Sequence, residues 1–311
     1  MGIVAAGPRR GLGAVAKLRL GSGLAGKRSA CPRDSRESKE FDSEPARERS
    51  MDYRSLSLET DARGVARLTL DEPATHNALS ATLLEELPRA AAALAGDAAV
   101  RVVVLTGAGA SFSAGGDLKW MERARGLERA GRIAESHKIA AMLAALDGLS
   151  KPLIGRINGA AYGGGVGLVA VCDVSIAARG ARFGLTETRL GLIPANIGPY
   201  VVTRLGPARA REVMLNAKIF DADEAARIGL VSRTVDAAEL DREVEREVGH
   251  FLACAPHAVA AAKALVRHIA RHGAAESIDH AIERLADAWE DEESREGIAA
   301  FFEKRKPRWS P

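Results

Sequence analysis

Residues 151–178 read KPLIGRINGAAYGGGVGLVAVCDVSIAA. KPLIGRIN is an apolar run of strand length, and the three glycines Gly163 to Gly165 break it. VGLVAV then continues with helix-like apolar character, and DVSIAA returns to a short strand. Strand, glycine turn, helix and strand in so short a span predict an α/β fold built in layers.

The same unit recurs upstream. VRVVVLTGAG, from Val100, is a continuous buried strand ending in glycines, and SFSAGGDLKWM, Ser111 to Met121, is a second glycine turn. One turn is expected directly after the strand Val100–Thr106 and the other directly after Leu153–Asn158. A polar helical stretch from Met121 to about Ala145 separates them. Nearer the start, YRSLSLETDARGVARLTLDEP reads as two alternating strands joined at Asp61–Gly64, and SATLLEELPRAAAALA as a helix capped by Ser80. Beyond about Asp236 the pattern is almost wholly helical, with AVAAAKALVRHIA amphipathic.

Each glycine turn presents unpaired N–H groups at a helix N-terminus, a place suited to a negative or polarised oxygen. Neither carries the GxxxxGK[ST] of a phosphate loop, and GGGVGL misses the GxGxxG spacing of a dinucleotide site, which counts against a dehydrogenase.

Composition narrows the classes further. The chain has 311 residues with 47% hydrophobic and 27% charged residues, and no apolar run approaches the roughly 20 needed for a membrane helix. Cys31, Cys172 and Cys254 lack metal or disulfide spacing, so a reducing, cytoplasmic setting is expected, with Cys172 as a small buried side chain. The formal charge of +3 is uneven: residues 1–50 hold 11 bases and 6 acids, which leaves 33 bases against 35 acids elsewhere. That balance argues against a nucleic-acid face. Residues 1–50 read as a disordered extension, transit-peptide-like through Arg33, although a start at Met51 is the preferred reading. His257, His268 and His272 lie on a charged helical region without HExxH spacing and are expected to be solvated, with no metal site.

SFSAGGDLKWM, KPLIGRINGAAYGGGVGL…CDVSIAA, ARFGLTETRLGLIP and the closing GIAAFFEKRKPRW resemble, in order, the crotonase (enoyl-CoA hydratase/isomerase) superfamily over about residues 53–309. The resemblance implies a spiral ββα core over 51–245, a helical C-terminal subdomain over 246–311 used in assembly as a trimer or dimer of trimers, and acyl-CoA thioester substrates. It implies no cofactor beyond the coenzyme A that the substrate carries. The N–H groups of Gly116 and Gly164 match the family's oxyanion-hole donors, and Glu187 in FGLTET matches an acid/base glutamate. Asp117 is expected to order its turn. His76 and Ala78 in PATHNAL, Ser113 and Ala114 with Asp117, and Phe301 and Lys304 match coenzyme A contacts, the last pair from an adjacent subunit. Trp120 and Met121 are acyl-pocket or core candidates.

A second glutamate of the typical hydratases would fall at 167, where this chain has Gly167, expected to line the substrate pocket at a place from which a longer side chain could reach the reacting carbons. Addition of water to an enoyl thioester needs a group to take water's proton and one to supply a proton to the α-carbon. One glutamate can do both, and it can equally move a proton between Cγ and Cα, which is isomerisation. NGAAYGGGVGLVAVCDV with ETRLGLIPANIGPYVV is similar to the branch that hydrates methylglutaconyl-CoA or isoprenoid-extended relatives, which leads to a hydratase of a branched, carboxylated enoyl-CoA. A substrate carboxylate, or water held by Asn196 or Tyr200, is expected to fill part of the missing role, and Arg189 to pair with that carboxylate. The alternatives are an enoyl-CoA isomerase and a coenzyme A-binding protein without catalysis.

Overall fold

The computed structural model describes residues 52–310, so the extension expected over 1–50 lies outside the described residues. The chain starts with an antiparallel hairpin, β1 (Leu56–Thr60) and β2 (Val65–Leu70). Helix α1 (Ala81–Gly96) follows, with the Ser80 hydroxyl accepting from Leu83 N as the expected cap. Then come β3 (Val102–Gly107), β4 (Ser111–Ser113), α2 (Leu118–Gly126) and α3 (Arg129–Asp147). The next turn of the chain is β5 (Leu153–Ile157), β6 (Ala160–Tyr162) and α4 (Gly164–Ala170). A third contains β7 (Val174–Ala178), β8 (Arg182–Gly184), the 3-10 turn Glu187–Leu190 and α5 (Gly198–Met214).

This gives two sheets rather than one. The larger has the order β1-β2-β3-β5-β7-β10, parallel after the first hairpin, with β10 at Arg233–Val235. The smaller has the order β4-β6-β8-β9, with β9 at Ile219–Asp221 leading into α6 (Ala222–Ile228). Each turn of the chain therefore lays one strand in each sheet before its helix. The sequence reading missed the small sheet: neither glycine turn follows its long strand directly, because β4 and β6 intervene. Three-residue strands are too short to show a period of two.

The interior faces of β2, β3 and β5 pack with α1, α3 and α4 in the main core, where Leu68, Leu83, Leu105, Met142 and Leu153 are fully buried. The opposite face of the sheet, Val102, Val104, Ile154 and Ile176, is covered by α7 (Leu240–Leu252) through Leu240, Val244, Val248 and Leu252. That four-residue spacing aligns the side chains on one stripe, and burying each contributes about 1.5–3 kcal/mol. Helix α7 thus belongs to the core layer and crosses the boundary expected at 246, a position inside the helix that a change in composition could not locate. The remaining helices are α8 (Pro256–His272), α9 (Ile278–Glu290) and α10 (Glu292–Glu303). Ile278, Ile282, Leu285 and Trp289 form an exposed apolar stripe along α9. No single helix among the described residues is long and apolar enough to cross a membrane.

Candidate active site

The two glycine turns meet. Gly115 has φ +83°, and a Cβ there would lie 2.3 Å from Tyr162 O and 3.1 Å from Gly164 N, so only glycine fits between the turns. The Gly116 and Gly164 amides make no turn or capping hydrogen bond. Gly116 is exposed, while Gly164 is the first residue of α4, where the amide has no acceptor within the helix. Two uncommitted N–H dipoles are therefore brought to one place from the two turns, one of them at the positive end of a helix.

A carboxylate joins them. Gly163 has φ +47°, and a Cβ on it would lie 3.0 Å from Glu187 Oε1. Glu187 opens the 3-10 turn after β8 and is half-buried, and its Oε2 is buried with no hydrogen-bond partner. Burial pushes its pKa above the ordinary glutamate range, with a bond to its own backbone acting in the opposite direction. A partly desolvated carboxylate with one oxygen left without a partner costs stability and marks a candidate proton acceptor.

The other anticipated residues divide into those at the site and those that brace it. Met121 lies over the first turn, its sulfur 3.8 Å from where a Gly116 Cβ would be. Asp117 caps α2 by accepting from Trp120 N at 2.7 Å, the ordering role expected of it. The Trp120 indole donates to Glu135 at 2.9 Å and ties α2 to α3 while its ring packs on the core. Ser113 and Ala78 are buried, which leaves the Ser113 side chain no open face for coenzyme A; its hydroxyl instead donates to Asn77 O and accepts from Gly115 N. Ala114 is half-buried and His76 exposed, with His76 Nδ1 3.1 Å from the Ser111 hydroxyl. Arg189 is exposed and makes no ion pair among the described residues. Phe301 is 78% exposed, edge-on to Phe302 at 5.6 Å, and Lys304 ends α10 in a left-handed conformation.

Gly167 differs from expectation. A Cβ there would lie 2.4 Å from Ile197 Cγ2 and 3.4 Å from Leu143 Cδ2, so the space beside it is already filled. Gly167 is a packing contact between α4 and the start of α5 and does not line an open pocket. Asn196, next to Ile197, is half-buried and its amide has no hydrogen-bond partner. Tyr200 senses Asp147, Arg267 and Arg271, which mark its surroundings as the α3–α8 side; burial raises its pKa first and Asp147 adds to the rise.

Ile197 and Asn77 were missed in the sequence. Ile197 carries no chemical signature, and Asn77 sits in PATHNAL beside the more conspicuous histidine. Cys172 is buried, and burial pushes its thiol up to about 12. The histidines are not simply solvated: His268 stacks between His272 and His280 at 4.2 and 3.8 Å. His257 Nδ1 lies 3.2 Å from Asp291, and Glu293 accepts from the His257 and Ala258 amides. His257, Asp291 and Glu293 are the one metal-type grouping found among the described residues, and these bonds make it a helix-end cap between α8 and α10.

Two sheets wound in ββα turns, with the two glycine turns meeting beside a half-buried carboxylate, define a fold of the crotonase type. The chain belongs to the enoyl-CoA hydratase/isomerase family, whose sequence model matches residues 60–311. It is 36% identical to the crotonyl-CoA hydratase of Syntrophomonas wolfei over 262 residues, covering 82% of this chain and 98% of that protein. Among solved structures, Pseudomonas aeruginosa AtuE superposes with a TM-score of 0.79 at 40% identity, covering 83% of this chain and 100% of that one. An enoyl-CoA hydratase from Shewanella pealeana gives a TM-score of 0.78 at 34% identity, covering 82% and 96%.

Proposed function

We propose that the protein adds water to a 2-enoyl-CoA thioester. The observation that carries this reading is the half-buried Glu187 carboxylate, its Oε2 buried without a hydrogen-bond partner, beside Gly163 where the two glycine turns meet. The Gly116 and Gly164 amides hold the thioester oxygen and stabilise the negative charge it gains as the oxygen of water bonds to the β-carbon. Glu187 takes the proton that water loses, and the same carboxyl returns a proton to the α-carbon, so water is added across the double bond. His76, Ala114 and the Asp117 turn lie on the coenzyme A side in this reading. Phe301 and Lys304 reach the coenzyme of a neighbouring subunit in a trimer or dimer of trimers, and the exposed apolar stripe on α9 supports such an assembly. The setting is cytoplasmic, and the protein carries no cofactor of its own.

The finer proposal is a branched, carboxylated acyl group of the methylglutaconyl type. With one carboxylate at the centre and Ile197 filling the space beside Gly167, a polar substrate arm and a water held by Asn196 supply what a second side chain would. In this reading Arg189, exposed and two residues from Glu187 in the chain, pairs with the substrate carboxylate. A single carboxylate also favours a second reading, transfer of a proton from Cγ to Cα in a 3-enoyl-CoA. The test incubates wild type and Glu187→Gln with 3-methylglutaconyl-CoA and with a 3-enoyl-CoA and follows product mass. A gain of one water on the glutaconyl thioester, lost in the variant, supports hydration. Conversion of the 3-enoyl thioester at constant mass, without hydration, overturns it.

A further inference from the structure

Packing does not locate the Gly116 amide. A Cβ on Gly116 would meet nothing nearer than Met121 at 3.8 Å, and the residue is exposed. An oxyanion donor must nevertheless be held closely to its place, since its advantage over water is that it need not reorganise. We propose that Asn77, acting through Ser113, is the positioning residue for this donor; the inference rests on the oxyanion-hole reading above.

The argument is a chain of bonds. Asn77 is wholly buried, yet it has φ +55°, a conformation that asparagine tolerates better than most residues. Its amide nitrogen donates to Ala108 O and Ser111 O, both at 2.9 Å, and its amide oxygen accepts from Glu72 N at 3.0 Å. One short side chain thus ties the loop before α1 to the loop between β3 and β4. The Asn77 carbonyl then accepts from the Ser113 hydroxyl at 2.8 Å, and that oxygen accepts from Gly115 N at 3.3 Å. On either side, Ala114 N donates to His76 O at 2.8 Å and Leu79 N to Gly115 O at 2.7 Å. Alongside the β4–β6 pairing, the hydrogen bonds that hold Ser113, Ala114 and Gly115 pass to segment 76–79, and Asn77 sets the shape of that segment. Aspartate would turn both donated bonds into oxygen–oxygen repulsions, whereas glycine would keep the backbone conformation and delete the clamp.

The test compares the full chain as wild type, Ser113→Ala and Asn77→Gly. Initial rates with a hydratable 2-enoyl-CoA give kcat and KM, and infrared difference spectra of bound butyryl-CoA, labelled with carbon-13 at the carbonyl, report polarisation of that carbonyl. The expected result is a fall in kcat on the order of tenfold or more, short of the ~10²–10³-fold of outright donor loss. KM should stay within about twofold, and the shift of the carbonyl band to lower wavenumber should shrink. A merely structural role would lower the thermal midpoint and active fraction without moving the band of the protein that remains folded. Full wild-type shift and kcat per folded protein in both variants overturn the proposal alone; if Asn77→Gly does not fold, Ser113→Ala decides by the same criteria. Absence of any shift in wild type overturns the oxyanion-hole reading and the proposal with it.

Discussion

Gly167→Ala isolates the contact between α4 and the start of α5. The new Cβ would be placed 2.4 Å from Ile197 Cγ2 and 3.1 Å from Ile197 Cβ. Carbon atoms pack best at about 3.5–4.0 Å, so Ile197 must retreat by about 1 Å or more. It has little freedom to do so, being 3% exposed, β-branched and attached to the first turn of α5. Overpacking of this kind costs about 1–3 kcal/mol, while replacing a helical glycine by alanine returns about 0.5–1 kcal/mol. The expected net loss is about 1–2 kcal/mol, or about 2–4 °C in Tm for each kcal/mol. Urea unfolding at fixed protein concentration measures it, and a double-mutant cycle with Ile197→Ala identifies the cause. Ile197→Ala alone should cost about 2–5 kcal/mol by leaving a cavity, but adding Gly167→Ala to it should cost nothing or stabilise. A neutral Gly167→Ala, or an equal cost in both backgrounds, would refute the reasoning. The same geometry predicts that Gly167→Glu alone gains no second working carboxylate.

Glu187→Gln should abolish turnover yet raise Tm at pH 7, because it removes a charge whose desolvation outweighs the bond to its own backbone. The raised pKa means that the folded state holds its proton to higher pH than the unfolded chain. Glu187 therefore lowers stability as pH rises from the unfolded value of 4.5 through the folded value. The Tm advantage of the glutamine variant should accordingly vanish below that window; an advantage that persists at low pH would refute this. In the rate profile, the acid limb of kcat/KM should lie above the ordinary glutamate range, as recorded in buffers of constant ionic strength. Gly116→Ala should fold normally, whereas Gly115→Ala, with positive φ and Tyr162 O only 2.3 Å from its Cβ, should lose both stability and activity. Circular dichroism with initial rates separates the two.

The chemistry was more legible in the sequence than the framework that holds it. The glycine turns stand out because bare backbone after an apolar run is unusual, Glu187 through the family resemblance of FGLTET, and the strands β3 and β5 as largely apolar runs. What escaped notice was set by contact. Nothing in the letters shows that Ile197 fills the space at Gly167, that Tyr200 has Asp147 and two arginines for charged neighbours, or that Ser113 faces inward. Helix α7 shows a clear stripe, but periodicity does not say whether a helix covers a sheet or leaves it.

The small sheet has a consequence for how the protein folds. Its strands β4, β6, β8 and β9 have three residues each, too few for any pair to persist alone, and they are drawn from segments far apart in the chain. Each loop closure has to be made before its short ladder returns anything. Since β4 and β6 lead directly into the two glycine turns, the candidate site takes shape only after the larger sheet has gathered those segments. A truncated or half-synthesised chain therefore has no partial activity to offer, and catalytic competence is among the last properties acquired during refolding.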